Sequence, residues 1–393
     1  MEKETRPIRI EPVHTRRQLR AFLRMPNAIY RDDDVWVAPI AVLDWIEYRR
    51  GTNMVLARSP HRLFLGLRGT EVRARLIAYV DPRFVEFQKS RIGFFGAFEA
   101  ANDPELVQQL FAEAAIWFRE QDVHTIQGPI DPVAECWGFV IEGHRRPPVF
   151  MSPHNPVYYP GLVEAAGFRK AKDLIAYEID MERGYEIPAR FGAFSGTVAE
   201  RRPQYSVRSL RPREIESEAA IILDILNRGV AENWGFVPVG EDEMQAIAGR
   251  LKYIIDPDAV VIVEDNTLPE GARAVGCAIG FPDINVILKK LNGHILPFGI
   301  FRLLFGIRHI RDYRLWGLAV LPAYQGLGLD VLMYTRLNEA LRPKNIRMEA
   351  NYVLEDNFKI INALQKLGME PIKRYRVYKK TLHPIDTTGE SVV

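Results

Sequence analysis

The order of strands and helices over residues 8–179 restarts at residue 205, and this repeat constrains the fold more than any other feature of the sequence. Apolar alternation and breakers in the first half predict strands at 8–13, 63–67, 73–80, 93–99, 125–128 and 174–179, with a helix from 15 to about 30. A further helix opens at Asn102-Asp103-Pro104-Glu105, where capping side chains precede Pro at a first-turn position. Another begins at Asn155-Pro156 and stops at Gly167. The second half predicts strands at 205–210, 259–264, 272–281, 313–321, 346–353 and 375–380, and helices at 214–228, 327–342 and 357–367. Asn155 stands 12 positions before Gly167, and Asn357 stands 11 before Gly368. A duplication accounts for this echo; two unrelated α/β domains with ordinary helix caps would give a weaker version.

With 393 residues, two or three domains of roughly 150 residues are expected. The division is 1–185, a Gly-, Pro- and Arg-containing linker at 186–203, and 204–393. Lys and Arg number 52 against 50 Asp and Glu, so no broad field points to nucleic acid. Cys136 and Cys277 have no CxxC partner, and no His/Asp/Glu cluster has metal spacing, so neither a disulfide framework nor a metal is expected. The first residues lack an apolar signal region and no apolar run would span a bilayer, which leads us to expect a cytoplasmic protein.

The chemically informative segment runs from Leu318 to Asp330: an apolar strand, Pro322, then Gln325-Gly326-Leu327-Gly328 opening a helix. Glycines there let an anion approach the free N–H groups and the positive end of the helix dipole. A dinucleotide fingerprint beginning at Gly326 would need glycine where Val331 stands, and no Gly-Lys-Ser/Thr follows. A plain tight turn is the alternative. In the first half, Glu99-Ala100-Ala101-Asn102-Asp103-Pro104 occupies the matching turn without a glycine, so that half is not expected to hold a phosphate.

Strand, Pro, then Gln-x-x-Gly-x-Gly/Ala entering a helix resembles the acyl-CoA pyrophosphate loop of the GNAT (Gcn5-related N-acetyltransferase) superfamily, and Asn357 to Gly368 resembles its downstream Asn-to-Gly-Phe pattern. The resemblance covers roughly 206–382. As a whole the chain is similar to a bacterial group of two-lobed, tandem GNAT-like acyltransferases carrying Trp-Gly-Phe-Val-Pro, here Trp234 to Pro238, and Asn-Pro-x-Tyr-Tyr, here Asn155 to Tyr159. It implies an α/β fold of two mixed-sheet lobes, the first degenerate. It also implies N-acyl transfer to an amine from acetyl-CoA, a longer acyl-CoA or an acyl-carrier-protein thioester.

By that resemblance Leu318 and Val320 hold pantetheine and carbonyl, Gln325, Gly326, Leu327, Gly328 and Asn357 hold the rest of the donor, and Trp234 and Phe236 belong to the acceptor pocket. Two positions depart from the pattern. Asp330 sets a carboxylate where a small residue normally faces phosphate, and Leu364 stands where the family has its general-acid tyrosine. They favour the alternative of a non-catalytic binding or scaffold protein that kept the fold.

Amide formation needs a base for the amine and a proton for the thiolate. Glu349 is the leading carboxylate, and Tyr352, Tyr375 and Tyr378 are candidate donors; equally, Glu349 beside Arg347 fits a surface pair and the tyrosines fit strand packing. His144-Arg145-Arg146 and His154 fit a solvated turn more readily than an anion site. The apolar stretch 294–310, with Arg302, Arg308 and Arg311 nearby, fits either a core helix or an amphipathic segment. In the amphipathic case a long-chain donor is preferred to acetyl, and the protein contacts a carrier protein or sits weakly on the anionic inner face of a membrane.

Overall fold

The computed structural model describes residues 6–49, 52–251, 254–296 and 298–382; Pro297 of the apolar stretch and residues 383–393 of the second lobe lie outside them. The strands are β1 (Ile8–Pro12), β2 (His61–Arg68), β3 (Glu71–Tyr79), β4 (Ile92–Ala100), β5 (Thr125–Gly128), β6 (Phe139–Glu142), β7 (Arg169–Asp180), β8 (Tyr205–Ser209), β9 (Val260–Asp265), β10 (Ala274–Pro282), β11 (Asp312–Val320), β12 (Arg347–Leu354) and β13 (Glu370–Thr381). All join one mixed sheet in the order β1-β2-β3-β4-β5-β13-β7-β12-β11-β10-β9-β8, with β6 paired to β13.

This order is close to a palindrome. Read inward from either end, four antiparallel-linked strands lead to a parallel pair, β4 with β5 and β11 with β12. Pro104–Glu120 is the helix crossing over the first parallel pair and Leu329–Leu341 the second. The expected repeat is therefore present in the sheet, but the last strands are exchanged. β7, from the first half of the chain, pairs with β12, and β13, from the second half, pairs with β5. Each half would otherwise end in an open strand edge, which the other half's final strand covers. Ile175 and Tyr177 of β7 accordingly pack into the C-terminal core, and Tyr378 of β13 into the N-terminal one.

Three local expectations are corrected. Within the segment expected as a linker, Ala189–Arg201 is a helix, whose Ser195 hydroxyl accepts a hydrogen bond from Thr335 Oγ1 at 2.9 Å. The first helix stops at Arg24, because Pro26 starts a separate turn, Pro26–Ile29. The helix expected from Asn155 begins at Tyr159: Asn155 instead accepts from Val140 N–H at 2.7 Å and donates to Val140 C=O at 3.2 Å. Asn357, its counterpart, does cap a helix, accepting from Ile360 N–H at 3.3 Å.

Candidate active site

Pairing between β11 and β12 stops at Leu315 and Ala350. Beyond that point a register shift in β10 against β11 leaves Trp316 as an extra residue, and Asn351 and Tyr352 bulge out of the β12–β7 ladder. The two strands therefore splay. Leu321 N–H donates to Val275 C=O at 2.9 Å on the β10 side, so alternation turns the N–H and C=O of Leu318 and Val320 the other way, into the cleft. Val320 C=O accepts there from the Gln325 amide at 3.2 Å.

The cleft opens into a cavity of about 1100 Å³ whose wall comes from both halves of the chain. Trp316, Gly317, Leu318, Asn357 and Leu364 contribute from the C-terminal half, and Phe98, Pro129 and Met151 from the N-terminal one. It is at the large end for ligand sites and mainly apolar in lining. Val320, Gln325, Gly326, Leu327 and Gly328 do not line it. The loop after β11 lies at the surface, with Gly326 and Gly328 at φ of 76° and 79°. A Cβ on Gly326 would meet nothing within 4 Å, whereas one on Gly328 would lie 3.0 Å from a Val198 methyl. Gly328 is thus favoured by its positive φ and by close packing against the helix Ala189–Arg201, independently of any phosphate. Asp330 is half-buried in the first turn of the helix it enters.

The N-terminal half has the same splay, but it is filled. β4 leaves β5 after Phe94, and the chain following β5 enters the gap: Ile130 N–H donates to Phe95 C=O, and Ala97 N–H donates to Asp131 Oδ2, both at 2.8 Å. Gly96 permits this approach, since a Cβ there would lie 2.5 Å from Ile130 O. The helix at Pro104 is capped by Asp103, itself held bidentately by Arg68 at 2.8 and 2.9 Å. Cleft and helix terminus, open in one half, are satisfied internally in the other.

In a scan of protein-family models, none matched the chain. "Protein YghO" of Escherichia coli (strain K12) is 29% identical over 374 residues, covering 93% of both chains. "Bacterial ceramide synthase" of Caulobacter vibrioides is 29% identical over 386 residues, covering 94% of this chain and 97% of the relative. Among solved structures, a tandem GNAT protein from the clavulanic acid biosynthesis pathway superposes with a TM-score of 0.55 at 12% identity, over 97% of this chain and all of that one. The chain has the tandem GNAT fold.

In the C-terminal GNAT lobe the expected site residues separate into two groups. Tyr352, Leu318 and Asn357 meet at the cavity, with Leu364 in the wall. Trp234 and Phe236 line it too, and they bridge the lobes: Trp234 packs edge-on to Trp137 at 6.1 Å, and Phe236 C=O accepts from Gln88 at 2.7 Å. The Tyr352 hydroxyl donates to Met151 C=O at 3.2 Å and accepts from Trp137 N–H at 3.3 Å; burial raises its pKa, so it stays protonated. Tyr378 lies away from the cavity in the N-terminal core, its hydroxyl 3.0 Å from Glu164.

Glu349 is not the surface partner of Arg347. It is buried behind the cavity wall, accepting from Lys373 Nζ at 3.1 Å, Asn351 Nδ2 at 2.7 Å and Tyr375 O–H at 3.3 Å. Asn351 in turn accepts from Arg314 Nε at 2.5 Å and donates to Ser152 at 2.9 Å. Arg314 also donates to the carbonyls of Phe150 and Met151 at 2.7 Å. This network fixes the bulge bearing Asn351 and Tyr352, and with it the N-terminal lobe's contribution to the wall.

His154 has a different place from the solvated turn expected for it. Its side chain is buried in the cavity wall, with Nε2 2.7 Å from Asp33 Oδ2. Burial works against the Asp33 carboxylate, but the bond from His154 and the N–H groups of Val35 and Trp36 outweigh it and lower its pKa. With the partners 121 positions apart in the chain, no local spacing announces the pair. Glu99, also in the wall, is pushed up to about 6 by burial, against the pull of Arg75 and hydrogen bonds from Tyr159 and Tyr30.

Proposed function

We propose that the chain is an N-acyltransferase that moves an acyl group from an acyl-CoA or acyl-carrier thioester to an amine, and that the acyl group is long and the amine belongs to a lipid. The observation carrying this reading is the open cleft of the C-terminal lobe leading into the large apolar cavity, beside a lobe whose own cleft is filled. Residues 1–185 and 204–393 act as the two lobes joined through 186–203, the second holding the thioester and the first completing the cavity.

In this reading the N–H groups of Leu318 and Val320 hold the pantetheine arm and polarise the thioester carbonyl. Gln325 to Gly328 and Asn357 receive the remainder of the donor. His154, oriented by Asp33, takes a proton from the ammonium. The amine then attacks, the C–N bond forms and the C–S bond breaks, and the second proton shed by the nitrogen reaches the departing thiolate through water or by relay across the Tyr352 hydroxyl, which regains its own proton. Glu349 is a positioning residue acting through Asn351, and Tyr378 a packing residue, while Trp234 and Phe236 border the acceptor. Ceramides are N-acylated long-chain amino alcohols, so the name of the Caulobacter relative supports an acceptor of that class.

The alternative, a non-catalytic binding protein with a GNAT fold, is favoured by Leu364 in the cavity wall and by the Asp330 carboxylate beside the glycine loop. Calorimetry with palmitoyl-CoA and coenzyme A, followed by product analysis with a long-chain amino alcohol, separates the two. Binding with turnover supports the enzyme, and binding without any amide product supports the alternative.

A further inference from the structure

The helix Gly299–Gly306 carries large apolar side chains outward. Phe298 and Phe305 are 79% and 74% exposed, and Phe301 and Leu304 are exposed beside them. Ala41–Glu47, a helix of the N-terminal lobe, does the same with Val42, Leu43 and Ile46. The two segments meet: Ala41 N–H donates to Gly293 C=O at 3.3 Å, and a Cβ on Gly293 would lie 2.8 Å from Pro39 O. Leu43, Ile295 and Leu303 also line the cavity, so the exposed apolar surface is continuous with the cavity's interior. Single exposed leucines are ordinary; a patch built by two lobes around a cavity mouth is not.

Its charge is one-sided on the C-terminal side, whereas the helix Ala41–Glu47 brings Asp44 and Glu47 to the other. From Asn285 to Arg311 the chain has five cations, Lys289, Lys290, Arg302, Arg308 and Arg311, and no carboxylate, although acidic and basic residues nearly balance overall. An apolar surface of aromatic rings with cations around it matches the boundary between acyl chains and anionic headgroups. A second copy of the chain fits less well, because a two-fold contact would set this carboxylate-free segment against itself.

We propose that this rim is a docking face for an anionic phospholipid bilayer. Phe298 and Phe305 enter below the headgroups, and Lys290, Arg302 and Arg308 meet the phosphates. The cavity mouth then lies on the membrane, and a long-chain substrate passes into the protein without crossing water. The inference rests on the lipid-substrate reading above and names the surface from which such a substrate arrives.

Flotation with phosphatidylglycerol–phosphatidylcholine vesicles at low salt tests it, with pure phosphatidylcholine vesicles alongside. The full-length protein floats with the anionic vesicles, at least tenfold more than with neutral ones, and is released at high salt. Phe298→Ser/Phe305→Ser and, separately, Arg302→Glu/Arg308→Glu reduce the bound fraction at least tenfold, while turnover of a water-soluble short-chain thioester and amine is unchanged. The charge-reversal variant leaves the apolar side chains intact, so a folding defect in the first does not decide the matter. Absence of flotation, flotation unchanged in both variants, or a dimer in solution that the phenylalanine variant dissociates would each overturn the docking face. Normal flotation with no turnover of any thioester would leave docking in place and sink the acyltransferase reading instead.

Discussion

Lys373 Nζ lies 3.1 Å from Glu349 Oε2, reaching from β13 to β12 across the intervening strand β7. Ala176, opposite Lys373 on β7, leaves the space for that reach. Both charges are buried, and Lys373 also donates to Pro147 C=O at 2.7 Å, so one ion pair ties the exchanged C-terminal strand to the strand behind the cavity. Removing one partner strands the other: Lys373→Met should cost on the order of 3 kcal/mol in denaturant unfolding, whereas Glu349→Leu/Lys373→Met should recover much of that loss. A single substitution costing well under 1 kcal/mol would show that the pair does not hold the seam.

Asp283 gives a pH dependence of definite sign. It is buried before the helix Asn285–Leu291, its Oδ1 accepting from the N–H groups of Phe150 and Asn285, and burial pushes its pKa from 3.8 up to about 7. As pH rises past 3.8 the unfolded chain releases this proton first, so the folded state loses stability until about pH 7 and no further. The loss is on the order of 4 kcal/mol. Asp283→Asn retains the Oδ1 acceptor and does not titrate. Its unfolding free energy should decline less than that of the wild type between pH 4 and 7; parallel profiles would contradict the assignment.

All the strands except β6, both crossover helices and the repeat were legible in the sequence because each rests on local periodicity, whereas the four residues of β6 lie in a Pro- and Gly-rich loop. The exchange of β7 and β13 was not, since strand patterning does not say which edge a strand completes. Similarly, the glycine loop and its flanking strand could be found, but Gly328 as a packing contact with Val198 depends on a helix hidden in a segment whose Gly and Pro content suggested a linker. Glu349 could be picked out as a carboxylate on a strand, but not as a buried one. Its engagement by Lys373, 24 residues later, follows from the seam and from no spacing within β12.

Asp330 is expected to oppose the phosphates of a bound donor. Asp330→Asn should tighten coenzyme A by about two- to fivefold at low salt, with the difference shrinking as salt is raised. Weaker binding in the variant would mean that Asp330 organises the loop rather than repelling the ligand.

His154 and Asp33 are separable by kinetics. His154→Gln should reduce kcat by about 10² or more with little change in thioester affinity, and Asp33→Asn should reduce kcat less, again with thioester affinity little changed. An unchanged rate in His154→Gln would move the base elsewhere in the wall.

The central claim is that the open C-terminal cleft and the shared cavity serve transfer of a long acyl chain. Mass-spectrometric detection of the amide formed from equimolar acetyl-CoA and palmitoyl-CoA, competing for one long-chain amino alcohol, tests it most directly. The account predicts the palmitoyl amide as the dominant product, and its absence in Leu318→Pro, which removes one of the N–H groups facing the cleft. Preferential acetylation, or no amide from either donor, would contradict it.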